Sequence, residues 1–195
     1  MRRSPSFSEK FSIFEKGNAS TENFEKNFAK LIGSKYAVGV NSGTDAIKLS
    51  LKALNIKSGD EVIIPAFTCV VVANAIIYRG ARPVYVDVNP SNLQYDRTSL
   101  EQAVSDKTKL IVVQNTFGIP PDYSAVENIC KQKGISCIED CTHGMGTLYN
   151  NKKTPPEFVK ASFYSFQWNK PLSAGLGGMV LCNDAILNAK IQDQQ

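Results

Sequence analysis

The sequence predicts an α/β fold: a mostly parallel central sheet with helices on both faces. Two observations carry this. Short apolar, β-rich runs recur seven times along the chain, and helix-patterned segments lie between most of them. A third bounds it: 195 residues with 43% apolar content suffice for one domain with a sizeable core.

Taken in order, the chain opens on a segment to about Ser20 without a clear period, expected to be a flexible arm (residues 1–20), followed by one domain (21–195). A helix pattern spans about 20–32, and YAVGV (36–40) reads as the first strand. The next helix, about 43–55, follows Ser42-Gly43-Thr44-Asp45, which has the spacing of a capping box. EVIIP (61–65) and RPVYVDV (82–88) read as strands flanking a helix at about 68–79. A second capping box, Thr98 to Glu101, predicts a helix over 98–105. LIVVQ (110–114) and SCIED (136–140) flank a helix at 122–133 that Asp122 can open. The segment 149–157, YNNKKTPPE, reads as a surface loop. ASFYSF (161–166) and GGMVLC (177–182) complete the strands. A last helix pattern, 183–192, has no glycine or proline stop, so the domain is expected to be cut inside that helix.

Composition narrows the function classes. The net charge of +4 is mild and the basic residues are scattered, which argues against a nucleic-acid groove or a membrane-binding patch. No run is long and apolar enough to span a bilayer, and the first residues lack the apolar core of a signal peptide, so a cytoplasmic location is expected. Five cysteines, odd in number and unpatterned, do not read as a disulfide framework. Cys137 and Cys141 read as buried small residues rather than a metal pair. The single histidine, His143, excludes any site built on several histidines.

Three motifs can carry chemistry. Asn41-Ser42-Gly43-Thr44-Asp45 joins a strand to a helix, where free backbone N–H groups and the positive dipole end favour a phosphate. Ser42 and Thr44 add hydroxyls, and Asp45 is expected to point back at the cap; a plain N-cap explains the same residues equally well. In the second, Ile138 to Gly146, Asp140 closes an apolar strand, where ligands bind in open α/β sheets. An acid there can take a metal, a ribose hydroxyl or a heteroaromatic nitrogen, and His143 follows three residues on. A strand-end acid and a surface histidine are the plainer explanation. The third, SFQWNK (165–170) before a Gly-rich turn, places Lys170 beyond a buried strand, where partial desolvation makes an amine nucleophilic. Most strand-end lysines are merely solvated. Trp168 reads as packing. No GxGxxG, GxxxxGK[ST] or metal-ligand spacing occurs.

Together, in order and spacing, these motifs resemble the DegT/DnrJ-type sugar aminotransferases, of the aspartate aminotransferase fold. The resemblance runs from about Phe24 to Asp184 and includes VNSGTDAIKLSLKAL, GDEVIIPAFTCVVVANAI, IEDCTHGMG and SFQWNK with its trailing GLGG. It implies a pyridoxal 5′-phosphate (PLP) cofactor, with Lys170 as the Schiff-base lysine and Asp140 as the acid at the pyridinium nitrogen. His143 falls near the ring oxygen, Gly43 and Thr44 match the amides that hold the phosphate, and Ser165 adds a hydroxyl to it. Three positions depart from the pattern: Cys69 stands where an aromatic ring stacks, Leu176 where an acid is common, and Asn115 where histidine is frequent.

The resemblance further implies ping-pong transamination from an amino-acid donor, glutamate, to a nucleotide-linked keto-sugar, in a homodimer. Members are longer, with a small C-terminal domain that this chain lacks, so it is expected to be the larger part of such an enzyme. The alternatives are a sugar dehydratase of the same fold, against whose histidine-bearing version Lys170 argues, and a truncated non-catalytic domain.

Overall fold

A computed structural model describes residues 18–153 and 155–194. The expected arm lies outside the described residues as far as residue 17; residues 18–20, expected to belong to it, instead open the first described helix, α1 (Asn18–Ile32). There follow β1 (Tyr36–Val40), α2 (Gly43–Ala53), β2 (Glu61–Pro65), α3 (Val70–Tyr78), β3 (Arg82–Val86), α4 (Arg97–Ala103) and β4 (Thr108–Gln114). The rest are α5 (Tyr123–Lys133), β5 (Ser136–Asp140), β6 (Val159–Ser165), β7 (Gly178–Cys182) and α6 (Ala185–Gln192).

Among the described residues, seven strands form one sheet in the order β1-β7-β6-β5-β4-β2-β3. β3, β2, β4, β5 and β6 are mutually parallel, while β7 runs antiparallel to both β6 and β1. The sheet is thus mostly parallel, as the apolar runs predict. Its middle strands are buried on both faces: β2 and β7 are buried at every residue. Alternation along each strand divides the core. Val62, Ile64, Val112, Ile138, Phe163 and Val180 pack under α2, α3 and α6 on one face. Ile63, Ile111, Val113 and Cys137 pack under α4 and α5 on the other, where Met179 and Leu181 meet Phe28 and Ile32 of α1. Phe163 is wholly buried at the centre, where truncation to alanine costs about 3–5 kcal/mol in comparable cores.

Caps explain most helix starts. Ser42 accepts from the Asp45 amide, Asp122 from those of Ser124 and Ala125, and Asp184 from that of Leu187. The expected capping box at Thr98 is corrected: Asp96 caps α4, accepting from the Ser99 amide at 2.7 Å. Thr98 lies inside the helix, and Glu101 reaches Arg97 one turn back at 3.1 Å instead of the cap. The carboxylate of Asp96 wins because it reaches the amide three residues on as a charged acceptor. The 149–157 loop turns through left-handed Asn150 and Asn151, closed by a bridge between Tyr149 and Lys152.

Two features place the site. Parallel strands bring the C-terminal ends of β2, β4, β5 and β6 to one edge of the sheet. The reversal of β7 then keeps the β6–β7 connection, residues 166–177, at that same edge. Phe166 pins the connection: its ring stands edge-on to Phe28 at 5.3 Å, and its amide donates to Gly177 O at 2.9 Å. Among the described residues no helix is long and apolar enough to cross a membrane.

Candidate active site

Read across the C-terminal edge, the chain presents the β1–α2 turn, the start of β7, then Ser165, Asp140, Gln114 and the β2–α3 loop. Between them lie two joined clefts. One, of about 310 Å³, is lined by Ser42, Gly43, Thr44, Asp140, Ser165 and Lys170 among others. The second, of about 180 Å³, is lined by Phe67, Gln114, Thr116, Phe117, Asp140 and His143. Cys69, Asp140 and Thr142 line both.

The first cleft is built on the N-terminus of α2. The Ser42 cap satisfies the Asp45 amide at 3.1 Å, which leaves the Gly43 and Thr44 amides without an intrahelical partner at the cleft. Ser42 donates its own hydroxyl proton to Asp45 Oδ2 at 2.9 Å, so Asp45 turns back to the cap as expected and the Ser42 hydroxyl is engaged there. Two close approaches shape this wall. A Cβ on Gly43 would lie 2.8 Å from Ser165 Cβ. A Cβ on Gly178 would lie 2.5 Å from Ser42 O and 2.8 Å from Gly43 N, both backbone atoms. Only glycine at 178 lets β7 pass behind the turn without displacing it.

Asp140 closes β5 and is 3% exposed. Burial pushes its carboxyl above the ordinary range, opposed by the Thr142 amide, which donates to Oδ1 at 2.9 Å, and by His143 and Lys170 nearby. Such a group gains from any donor or cation brought to it inside the cleft. Its neighbour Glu139 points to the other face, where Tyr123 and Ser162 donate to it. Lys170 Nζ lies 2.8 Å from His143 Nε2. Burial and the Lys170 charge hold His143 below its usual pKa. Phe117 lies against the same imidazole, centroids 5.3 Å apart.

The structure therefore brings Ser42, Gly43, Thr44, Asp140, His143, Ser165 and Lys170 to one place. Trp168 is corrected: at 75% exposed it does not pack, because the turn that carries it projects beyond the sheet edge. Leu176 is equally exposed, whereas Asn115 is buried, accepting from Thr147 Oγ1 at 3.0 Å. Cys69 is exposed at the start of α3, and Cys130, Cys137, Cys141 and Cys182 are buried. Residues the sequence reading passed over are Phe67, Thr68, Gln114, Phe117 and Thr142. One signal was available for Gln114: like Asp140, it is a polar residue that closes an apolar strand.

A profile of the DegT/DnrJ/EryC1/StrS aminotransferase family matches residues 9–194. The chain is 38% identical over 175 residues to GDP-perosamine synthase of Escherichia coli O157:H7, covering 90% of this chain and 48% of that protein. It is also 38% identical over 169 residues to a UDP-N-acetyl-3-dehydro-alpha-D-glucosamine 3-aminotransferase of Acidithiobacillus ferrooxidans, covering 86% and 46%. The chain spans about half the length of these curated relatives. Among solved structures, NtdA of Bacillus subtilis with its bound cofactor PMP superposes with a TM-score of 0.81 at 30% identity, over 88% of this chain and 38% of that one.

The close approach at Gly178 yields a test. Gly178→Ala should force the Ser42–Gly43 turn outward and lower stability by about 1–3 kcal/mol, the usual cost of overpacking. Urea unfolding measures it, and an unchanged midpoint would mean that the turn has slack.

Proposed function

The chain belongs to the DegT/DnrJ/EryC1/StrS aminotransferase family, and from that premise we propose that it is the cofactor-binding part of a PLP-dependent sugar aminotransferase. The observation that carries the reading is the convergence of a buried carboxyl, Asp140, and an amine, Lys170, on a cleft floored by the α2 N-terminus.

The residues fit PLP in three ways. The Gly43 and Thr44 amides, with Thr44 and Ser165 hydroxyls, suit a phosphate. Asp140, whose burial favours a cationic or N–H partner, suits a pyridine nitrogen. Lys170 suits the carbonyl. Bound there, PLP supplies an exchangeable carbonyl and a ring that draws electrons from the substrate carbon. Asp140 keeps the ring nitrogen protonated. Lys170 Nζ takes the proton from the donor's α-carbon and later returns one, acting as base and then acid. His143, whose Nε2 lies 2.8 Å from Lys170 Nζ, aims that amine into the cleft.

The relatives support a reading of the acceptor. GDP-perosamine synthase and the UDP-linked 3-aminotransferase both carry nucleotide-sugar names, which supports a nucleotide-linked keto-sugar as acceptor. Glutamate is the donor that the family resemblance implies. The full-length protein is read as a homodimer, as the family resemblance implies, and the exposed apolar side chains Val70, Ile77 and Tyr78 of α3 are consistent with a covered surface. Sedimentation velocity should find self-association at micromolar concentration, and a strict monomer would count against the dimer.

Asp140→Asn tests the chemistry. An amide does not hold the ring nitrogen protonated, and a charge-assisted hydrogen bond alone is worth about 1.5–3 kcal/mol. The variant should still take up PLP, while the glutamate-driven loss of the cofactor's visible absorbance slows by more than roughly a hundredfold. A near-normal rate would remove Asp140 from the role. A wild-type protein that answers other amino acids but not glutamate would correct the donor.

A further inference from the structure

The second cleft has two walls that come from different loops. Phe67 stands on the β2–α3 loop, and Phe117 on the tight turn after β4, their rings edge-on at 6.4 Å. Neither ring is held by burial, for Phe67 is 47% and Phe117 65% exposed. Phe117 also carries a left-handed backbone, φ 52°, a conformation that costs a non-glycine residue of order 1 kcal/mol and persists only where its surroundings enforce it. The turn is closed by Ile119 N donating to Thr116 O at 3.0 Å.

What joins the two loops is one side chain. Gln114 Oε1 accepts from Thr68 Oγ1 at 2.6 Å, and Nε2 donates to Phe67 O at 3.2 Å and to Thr116 Oγ1 at 2.8 Å. Both amide protons and the carbonyl are therefore spent on holding the base of each aromatic wall. Gln114 sits at the end of the central parallel strand β4, paired in register with Asp140 of β5, so this clamp is anchored to the middle of the parallel strands.

We propose that Gln114 is a positioning residue: it sets the distance between the Phe67 and Phe117 walls, and through Phe117 the placement of His143 and Lys170. The proposal rests on the reading of the cleft as the PLP site only for its binding consequence; the clamp itself is independent of it.

The test compares Gln114→Val, which keeps much of the bulk but none of the three bonds, with Thr68→Val and Thr68→Ser. Hydrogen–deuterium exchange in Gln114→Val should quicken at residues 66–69 and 116–119 and stay as in the wild type in β4, β5 and β6. The melting temperature should barely move, while the dissociation constant for PLP rises about tenfold, the worth of one or two neutral hydrogen bonds. Thr68→Ser should behave as wild type, Thr68→Val should show part of the effect, and the double variant should be no worse than Gln114→Val alone. If Gln114→Val does not fold, the Thr68 pair decides. Wild-type exchange in both loops overturns the proposal, and so does faster exchange throughout the sheet with a matching fall in melting temperature, which marks a merely structural residue. Failure of the wild-type protein to bind PLP would overturn the cofactor reading alone, and the exchange data would still decide the role of Gln114.

Discussion

Parallel pairing of β2, β4, β5 and β6 is the constraint on which the rest depends. It sends four strand ends to one edge, spaced by about 4.8 Å per strand. Ser165, Asp140 and Gln114 are the last residues of three successive strands, so their separation is fixed by the hydrogen-bond ladder and not by loop conformation. The reversed strand β7 completes this arrangement. An antiparallel return needs no crossover to the far edge, so the connection bearing Lys170 remains where the parallel strands end.

The site is assembled against local cost. A buried carboxyl is unfavourable as an anion, and Asp140 is held by one backbone amide with Lys170 and His143 close by. The left-handed Phe117 is a second cost, borne where its ring meets His143. The glycine at 178 is a third, a residue without a side chain in a wholly buried strand, required because Ser42 and Gly43 pass directly behind it. Each departs from what a sheet alone would choose, and all three lie within the same few strand ends. That clustering is the physical mark of a functional edge.

Much of the fold was legible because its signals are local. Continuous apolar runs marked the strands, and Asp122 and Ser42 marked helix starts, since a cap depends on only four residues. Asp96 was missed because two acceptors compete within three positions and the sequence does not rank them. The place of β7 between β1 and β6 was not legible: a twelve-residue connection without a helix is compatible with either direction. Within the site, Asp140 and Lys170 stood out because a charge at the end of an apolar run is conspicuous. Gln114 did not, because its role exists only where residues 66–69 and 116–119 meet, and they are nearly fifty positions apart. Trp168 was misjudged for the related reason that burial of a turn residue depends on what lies beyond the sheet edge.

The central claim is that Lys170 is the amine placed to hold the cofactor. The direct measurement is borohydride reduction of the protein after incubation with PLP, followed by peptide mapping. Among the described residues, Lys170 is the only lysine that lines the cleft together with the α2 N-terminus and Asp140. The account predicts the reduced label on Lys170, in the peptide that contains SFQWNK. A stoichiometric label on any other lysine would contradict it.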